Sequence, residues 1–173
     1  MELDLLTLGL LAVAALIAGF IDAVAGGGGL ITVPALLATG MPPTMALATN
    51  KLQSSFGSFS ATYYYLRRGL LDWSIMKWAI VCTFIGSVLG TVLVQRLDAS
   101  LLHKVLPFLL AAFALYFLFS PRVGDEDRKR RLGIIPFSLL IGTGVGFYDG
   151  FFGPGTGSFF AMAFIALAGF SMA

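Results

Sequence analysis

Long apolar runs, separated by short polar or glycine-rich segments, organise this chain, and the runs do not alternate. Runs approaching the roughly 20 residues that cross a bilayer predict membrane helices; a transmembrane barrel would show short alternating segments instead. The first predicted helix covers 5–25. Gly26, Gly27, Gly28 and Gly29 should interrupt it, because consecutive glycines lose backbone entropy and bring no packing side chain. The apolar segment 30–39 that follows is too short to span alone. Gly40-Met41-Pro42-Pro43 reads as a turn, with Thr44 as the expected cap of a helix over 44–66. Trp73, Lys77 and Trp78 suit the interfacial start of a helix over 73–94. Pro107 predicts a kink in a helix over 101–119. After a charged stretch come a helix over 132–152, the break Gly153-Pro154-Gly155-Thr156-Gly157, and an apolar segment 158–168.

Within the third helix Lys51, Ser55, Ser58 and Thr62 fall on one face, flanked by Asn50, Ser54 and Gly57. A polar stripe on a membrane helix belongs toward the bundle interior or water. In the fourth, Gly86 and Gly90 form a small-xxx-small pair that permits close helix packing.

The two glycine breaks are related. Gly19, Phe20, Asp22 and Gly26 align with Gly146, Phe147, Asp149 and Gly153 at one constant offset. An acid and a helix breaker in hydrocarbon are costly unless they line a cavity, and a duplicated copy of both marks a transporter built from two repeats. The expected organisation is a first transmembrane repeat over 1–119, a charged cytoplasmic connector over 120–131, and the start of a second repeat over 132–173. The second copy matches only about 5–46, so repeat symmetry predicts a whole protein of roughly 250 residues.

Composition agrees with the pattern. The chain is 58% hydrophobic and 12% charged, against about 25% charge in soluble domains. Mean hydropathy is +0.91. The fold class is therefore all-α, a polytopic helical membrane protein. Glu2 and Asp4 with no basic leader argue for a retained first helix, not a signal peptide. The one cysteine, Cys82, excludes an internal disulfide or a cysteine metal cluster and reads as a small buried hydrophobe. His103 beside Lys104 reads as interfacial. The short basic run 128–131 is a solvated connector, with no nucleic-acid partner implied. By the positive-inside rule it lies in the cytoplasm, as do Arg67 and Arg68 two helices earlier; Arg96 and Lys104 then fall outside. If 26–40 crosses the membrane, the two copies run in opposite senses; if it is a re-entrant hairpin, the parity changes.

Three sets of residues could carry chemistry. Freed N–H groups at Gly26, Gly27, Gly28 and Gly29, and at Gly155, Thr156 and Gly157, would favour an anion, as helix N-termini do; close helix packing is the alternative. Lys51, with Asn50, Gln53 and Ser54, would supply counter-charge and hydrogen bonds; it could instead snorkel or pair with Asp22. Asp22 and Asp149 could carry protons, or could each accept bonds from the freed donors of their own break. No metal or organic cofactor is expected, with proton coupling left open.

Gly19-Phe20-Ile21-Asp22-Ala23-Val24-Ala25-Gly26-Gly27-Gly28-Gly29, then Pro34, then Ala48-Thr49-Asn50-Lys51-Leu52-Gln53, resembles the sulfite exporter TauE/SafE family of membrane permeases. The second copy, 146–157, resembles that family's second half. The resemblance implies a multi-pass permease, of a family linked to sulfite, sulfonates and related organic sulfur anions. The reading is a non-enzymatic secondary transporter of a small anion, multi-pass in a bacterial cytoplasmic (inner) membrane, with the lipid bilayer around it; a homo-oligomer is compatible. The rivals are a membrane-embedded enzyme acting on a lipid or quinone, and a non-transporting assembly subunit.

Overall fold

The computed structural model describes residues 4–24, 26–69, 73–119 and 133–164. Among them every regular element is helical. The connector 120–131 and the end of the 158–168 segment lie outside the described residues.

Helix α1 spans Leu5–Val24. Asp4 caps it, accepting a hydrogen bond from the Thr7 N–H at 3.1 Å. The Thr7 hydrogen bonds hold the Asp4 carboxyl below its ordinary range. This cap is therefore in place at neutral pH and weakens as pH falls through that lowered range. Helix α2 is Gly29–Ala38, ten residues and too short to cross a bilayer. It doubles back along α1, since Gly28 abuts the Ala18 carbonyl.

Helix α3, Pro43–Arg67, starts one residue earlier than the sequence reading. Thr44 does not cap it: Pro43 takes the first turn, where its missing N–H costs nothing. Its 25 residues reach about 37 Å, long enough to span despite their polarity. Arg67 and Arg68 close it over the rings of Tyr63 and Tyr64, a pairing that suits the membrane interface. Gln53 reaches the Ala15 carbonyl, and Gly57 lies against Gly19 and Asp22, so α1 and α3 run the same way.

Helix α4 is Trp73–Arg96 and α5 is Ala99–Phe119, with Pro107 inside α5. Helix α6 is Ile134–Phe137, α7 is Thr143–Phe151, and α8 is Thr156–Ala163. Between α6 and α7 the chain takes a π-turn over Ser138–Gly142, where sequence periodicity predicts one uninterrupted helix. Among the described residues three helical stretches are long and apolar enough to cross a membrane: Leu5–Val24, Met76–Arg96 and Ala99–Tyr116. Leu5, Leu16, Phe20, Phe56, Phe84 and Phe108 are all exposed, the surface of a protein whose solvent is lipid.

Two packing units hold these helices. Val33, Leu47, Val94, Leu102, Leu106, Leu110 and Phe152 form the buried cluster that joins α2, α3, α4 and α5 to the end of α7. Phe113 of α5 extends it, with ring centroids 5.1 Å from Tyr148 and 5.7 Å from Phe152. The second unit is α4 against α7. Gly86 and Gly90 meet the backbone of 143–151, while Gly146 and Gly150 meet Thr83 and Ser87. The order of these pairs makes α4 and α7 parallel. The predicted Gly86/Gly90 contact thus exists, and its partner is a second small-xxx-small pair. Cys82 is buried beside Gly142, as the sequence implies.

A Cβ on Gly150 would sit 1.9 Å from the Ser87 carbonyl oxygen, and one on Gly86 2.2 Å from that of Thr143. Gly150→Ala and Gly86→Ala should each destabilise the protein by at least about 2 kcal/mol in thermal unfolding in detergent. Gly144→Ala, which meets nothing within 4 Å, should stay within about 0.5 kcal/mol of the parent.

Candidate functional site

Both helix breaks fold by the same local rule. Gly26 has φ +71° and donates its N–H to the Ile21 carbonyl at 3.0 Å. Gly153 has φ +95° and donates to the Tyr148 carbonyl at 3.2 Å. Each bond reaches five residues back, and each closes a helix on a glycine in a conformation that other residues rarely adopt. The aligned sequence positions thus have matching backbone geometry.

The breaks then touch. A Cβ on Gly26 would lie 2.3 Å from Gly157 Cα, and one on Gly157 would lie 2.5 Å from Gly26 Cα. Gly29 faces Pro154 and Asn50, and Gly28 presses on Ala18. Most of the glycine run therefore admits neighbouring protein backbone. Of its four members Gly26 lines the polar pocket; Gly27, Gly28, Gly29 and also Gly155 do not.

That pocket, about 410 Å³, lies beside the crossing. Asp22 and Gly26 from the first break line it, with Asn50, Lys51, Ser54, Ser55 and Ser58 of α3. Gly153, Thr156 and Gly157 come from the second break, Asp149 from α7, Thr83 and Ser87 from α4, and Phe160 from α8. The volume suits a small solute.

The two acids are held differently. Asp22 Oδ1 accepts the Gly28 N–H at 2.7 Å, and Oδ2 accepts the Ser54 hydroxyl at 2.9 Å. Its charge sits at the N-terminus of α2, where the helix dipole favours an anion. The carboxylate itself therefore occupies the Gly28 donor that the sequence reading offered to a ligand. Asp149 instead meets the Lys51 ammonium, Nζ to Oδ2 at 3.5 Å, and the Ser87 hydroxyl at 3.5 Å. Lys51 also donates to the main-chain carbonyl of Asp149, in the last turn of α7, where the dipole favours a cation. The ion pair is thus Lys51 with Asp149, where the sequence alternative paired it with Asp22. With both acids ionised the pocket's formal charge is −1: two carboxylates against one ammonium.

Asn50 is buried at 3% exposure, and its Oδ1 has no hydrogen-bond partner among the described residues. Thr156 donates to the Gly153 carbonyl at 2.5 Å, and Tyr148 to the Pro154 carbonyl at 2.6 Å; these two bonds fasten the second break. Gln53 stands apart from the pocket: Nε2 donates to the Ala15 carbonyl at 3.2 Å and Oε1 accepts the Thr32 hydroxyl at 3.3 Å. It ties α1, α2 and α3 together. Thr62 of the polar stripe also lies outside the lining. Sequence reasoning missed Thr83 and Ser87. Their signal is a hydroxyl every four residues on an otherwise apolar helix, Thr83, Ser87 and Thr91.

Substitutions at the breaks should rank in order. Gly26→Ala, strained in φ and blocked by Gly157, should cost at least about 2 kcal/mol. Asp22→Ala loses a cap-like bond and should cost about 1–2 kcal/mol; Asp22→Asn, which keeps an acceptor for Gly28, should cost less. Unfolding in detergent micelles measures all three, and equal losses for Asn and Ala at Asp22 would remove the capping role.

Curated relatives match this chain along nearly its whole length. It is 54% identical over 168 residues to the "Probable membrane transporter protein YfcA" of Escherichia coli (strain K12), covering 97% of this chain and 62% of that protein. It is 51% identical over 172 residues to a "Probable membrane transporter protein" of Haemophilus influenzae, covering 99% and 68%. A Sinorhizobium protein, "Probable membrane transporter protein ORF9", is 50% identical over 165 residues, 95% of this chain and 63% of its own length. The chain thus spans under two thirds of the length of the Escherichia and Sinorhizobium relatives. No solved structure matches it. Residues 11–173 match the sequence profile of the sulfite exporter TauE/SafE family, and the chain belongs to that family of membrane transporters.

Proposed function

We propose that the whole protein is a non-enzymatic secondary transporter carrying a small anion across a bacterial cytoplasmic membrane, in which it is multi-pass. The substrate class is sulfite, a sulfonate or a related organic sulfur anion. The observation that carries this reading is Lys51: an ammonium on the wall of a polar pocket, at the crossing of two helix breaks. Around it stand the Ser58 hydroxyl, the Asn50 amide, and the hydroxyls of Ser54, Ser87 and Thr156, which would turn from Asp22, Asp149 and the Gly153 carbonyl to a ligand. These groups suit an oxyanion, which accepts several hydrogen bonds and one counter-charge. The sulfur assignment rests on family membership.

Alternating access follows from two opposed halves. Helices α1 and α3 run one way, and α4 and α7 run together. Lys51 and Ser87, each about equally far from the short 68–72 connection, meet at Asp149, which sets α3 against α4. On that reading Asp22 and Asp149 end helices of opposite direction, and the halves rock about the Gly26–Gly157 crossing. This supports inverted repeats, with the end of α3, which carries Arg67 and Arg68, on the cytoplasmic side.

The test is flux of labelled sulfite and ethanesulfonate into proteoliposomes holding the full-length protein. Saturable flux should fall at least about tenfold in Lys51→Ala, the scale of losing a charge-assisted hydrogen bond. Saturable flux unchanged in Lys51→Ala would remove the pocket from the transport path.

A further inference from the structure

Lys51 is already engaged, and its partner decides what an entering anion must bring with it. The pocket holds Asp22, Asp149 and Lys51, so an added monoanion would raise its formal charge from −1 to −2 while Asp149 kept its claim on the ammonium. Like charges gathered on the walls of one membrane pocket disfavour that state. Protonation of one carboxylate relieves it, and the geometry separates the two candidates.

Asp22 is fixed on both oxygens, by the Gly28 N–H at 2.7 Å and by the Ser54 hydroxyl at 2.9 Å. The Gly28 bond is main chain and closes the first break. A proton on Asp22 would leave Oδ1 to accept the Gly28 N–H but would weaken that charge-assisted bond. Asp149 is held by side chains at longer range, Lys51 and Ser87, each at 3.5 Å. The Ser87 hydroxyl can turn to accept where it now donates. Lys51 also keeps its bond to the Asp149 main-chain carbonyl, so releasing the carboxylate does not cast the ammonium loose. The other groups facing Asp149 do not titrate in its place. Thr83 and Ser87 of α4 and Thr156 and Phe160 of α8 are neutral, and the Tyr148 phenol is turned to the Pro154 carbonyl.

We propose, resting on the anion reading above, that Asp149 is the proton-carrying residue of the transport cycle and that Asp22 is not. An anion takes Lys51 as Asp149 takes a proton; the anion leaves as the proton leaves and the Lys51–Asp149 pair re-forms. Anion and proton move in the same direction in equal number, and a monoanion crosses without net charge.

The experiment uses ethanesulfonate, a strong-acid anion that carries no proton itself, with the full-length protein in proteoliposomes containing a pH-sensitive dye. An inward ethanesulfonate gradient should acidify the lumen in step with labelled uptake, and an imposed membrane potential should leave the rate unchanged. Asp149→Asn should carry the anion without protons, lose stimulation by an inward pH gradient, and become sensitive to the potential. Asp149→Glu, which keeps a carboxyl, should restore proton movement, separating loss of the proton site from loss of the fold. Uptake by the parent without acidification, or equal proton movement in Asp149→Asn, overturns the coupling while leaving anion transport in place. No saturable flux of ethanesulfonate or sulfite overturns the anion reading, and the coupling falls with it.

Discussion

Two polypeptide backbones approach most closely where neither carries a side chain, and Gly26 on Gly157 is such a contact. The arrangement of the pocket depends on it. The crossing brings the end of α1 to the start of α8 and sets Asp22 and Asp149 on the walls of one cavity. A methyl group at either position would push the breaks apart and widen the gap that Lys51 now bridges from α3 to α7. Backbone freed at such depth in a membrane must be satisfied by protein or by a cavity. Asp22, Thr156 and Tyr148 supply that satisfaction here.

The electrostatic layout follows from helix ends. A carboxylate stands at the start of α2 and an ammonium at the end of α7, each where the helix dipole favours its sign. Both charges therefore have local support apart from any ligand. What differs is exchangeability. Asp22 is bonded through main chain, whereas Asp149 is bonded through long side-chain contacts, and its side chain is 38% exposed.

Much of this was legible in the sequence because it depends on local rules. Apolar run lengths give α1, α3, α4 and α5 to within about two residues, as boundary reading allows. The duplicated Asp and glycine positions foretold two breaks with like geometry. The misses are long-range or rotational. Gln53 is a neighbour of Ser54 in sequence but lies about 100° around the helix, so it faces α1 and α2 while Ser54 faces the pocket. Lys51 pairs with Asp149, a partner 98 residues away that no spacing argument selects over Asp22. Gly146 and Gly150 read as part of a repeat but also serve as the seat for α4. The consecutive glycines, read as open to a ligand, mainly admit Ala18, Pro154 and Gly157.

The central claim is that an anion enters this pocket and meets Lys51. Ser58→Cys, in a background where the buried Cys82 is replaced by alanine, places a reporter thiol on the pocket wall. Its rate of modification by a sulfonate-bearing thiosulfonate reagent can be compared with that by a trimethylammonium-bearing one. The account predicts that ethanesulfonate slows modification by either reagent, and that this protection is lost in Lys51→Gln. Modification that ethanesulfonate leaves unchanged, or protection that persists in Lys51→Gln, would contradict it.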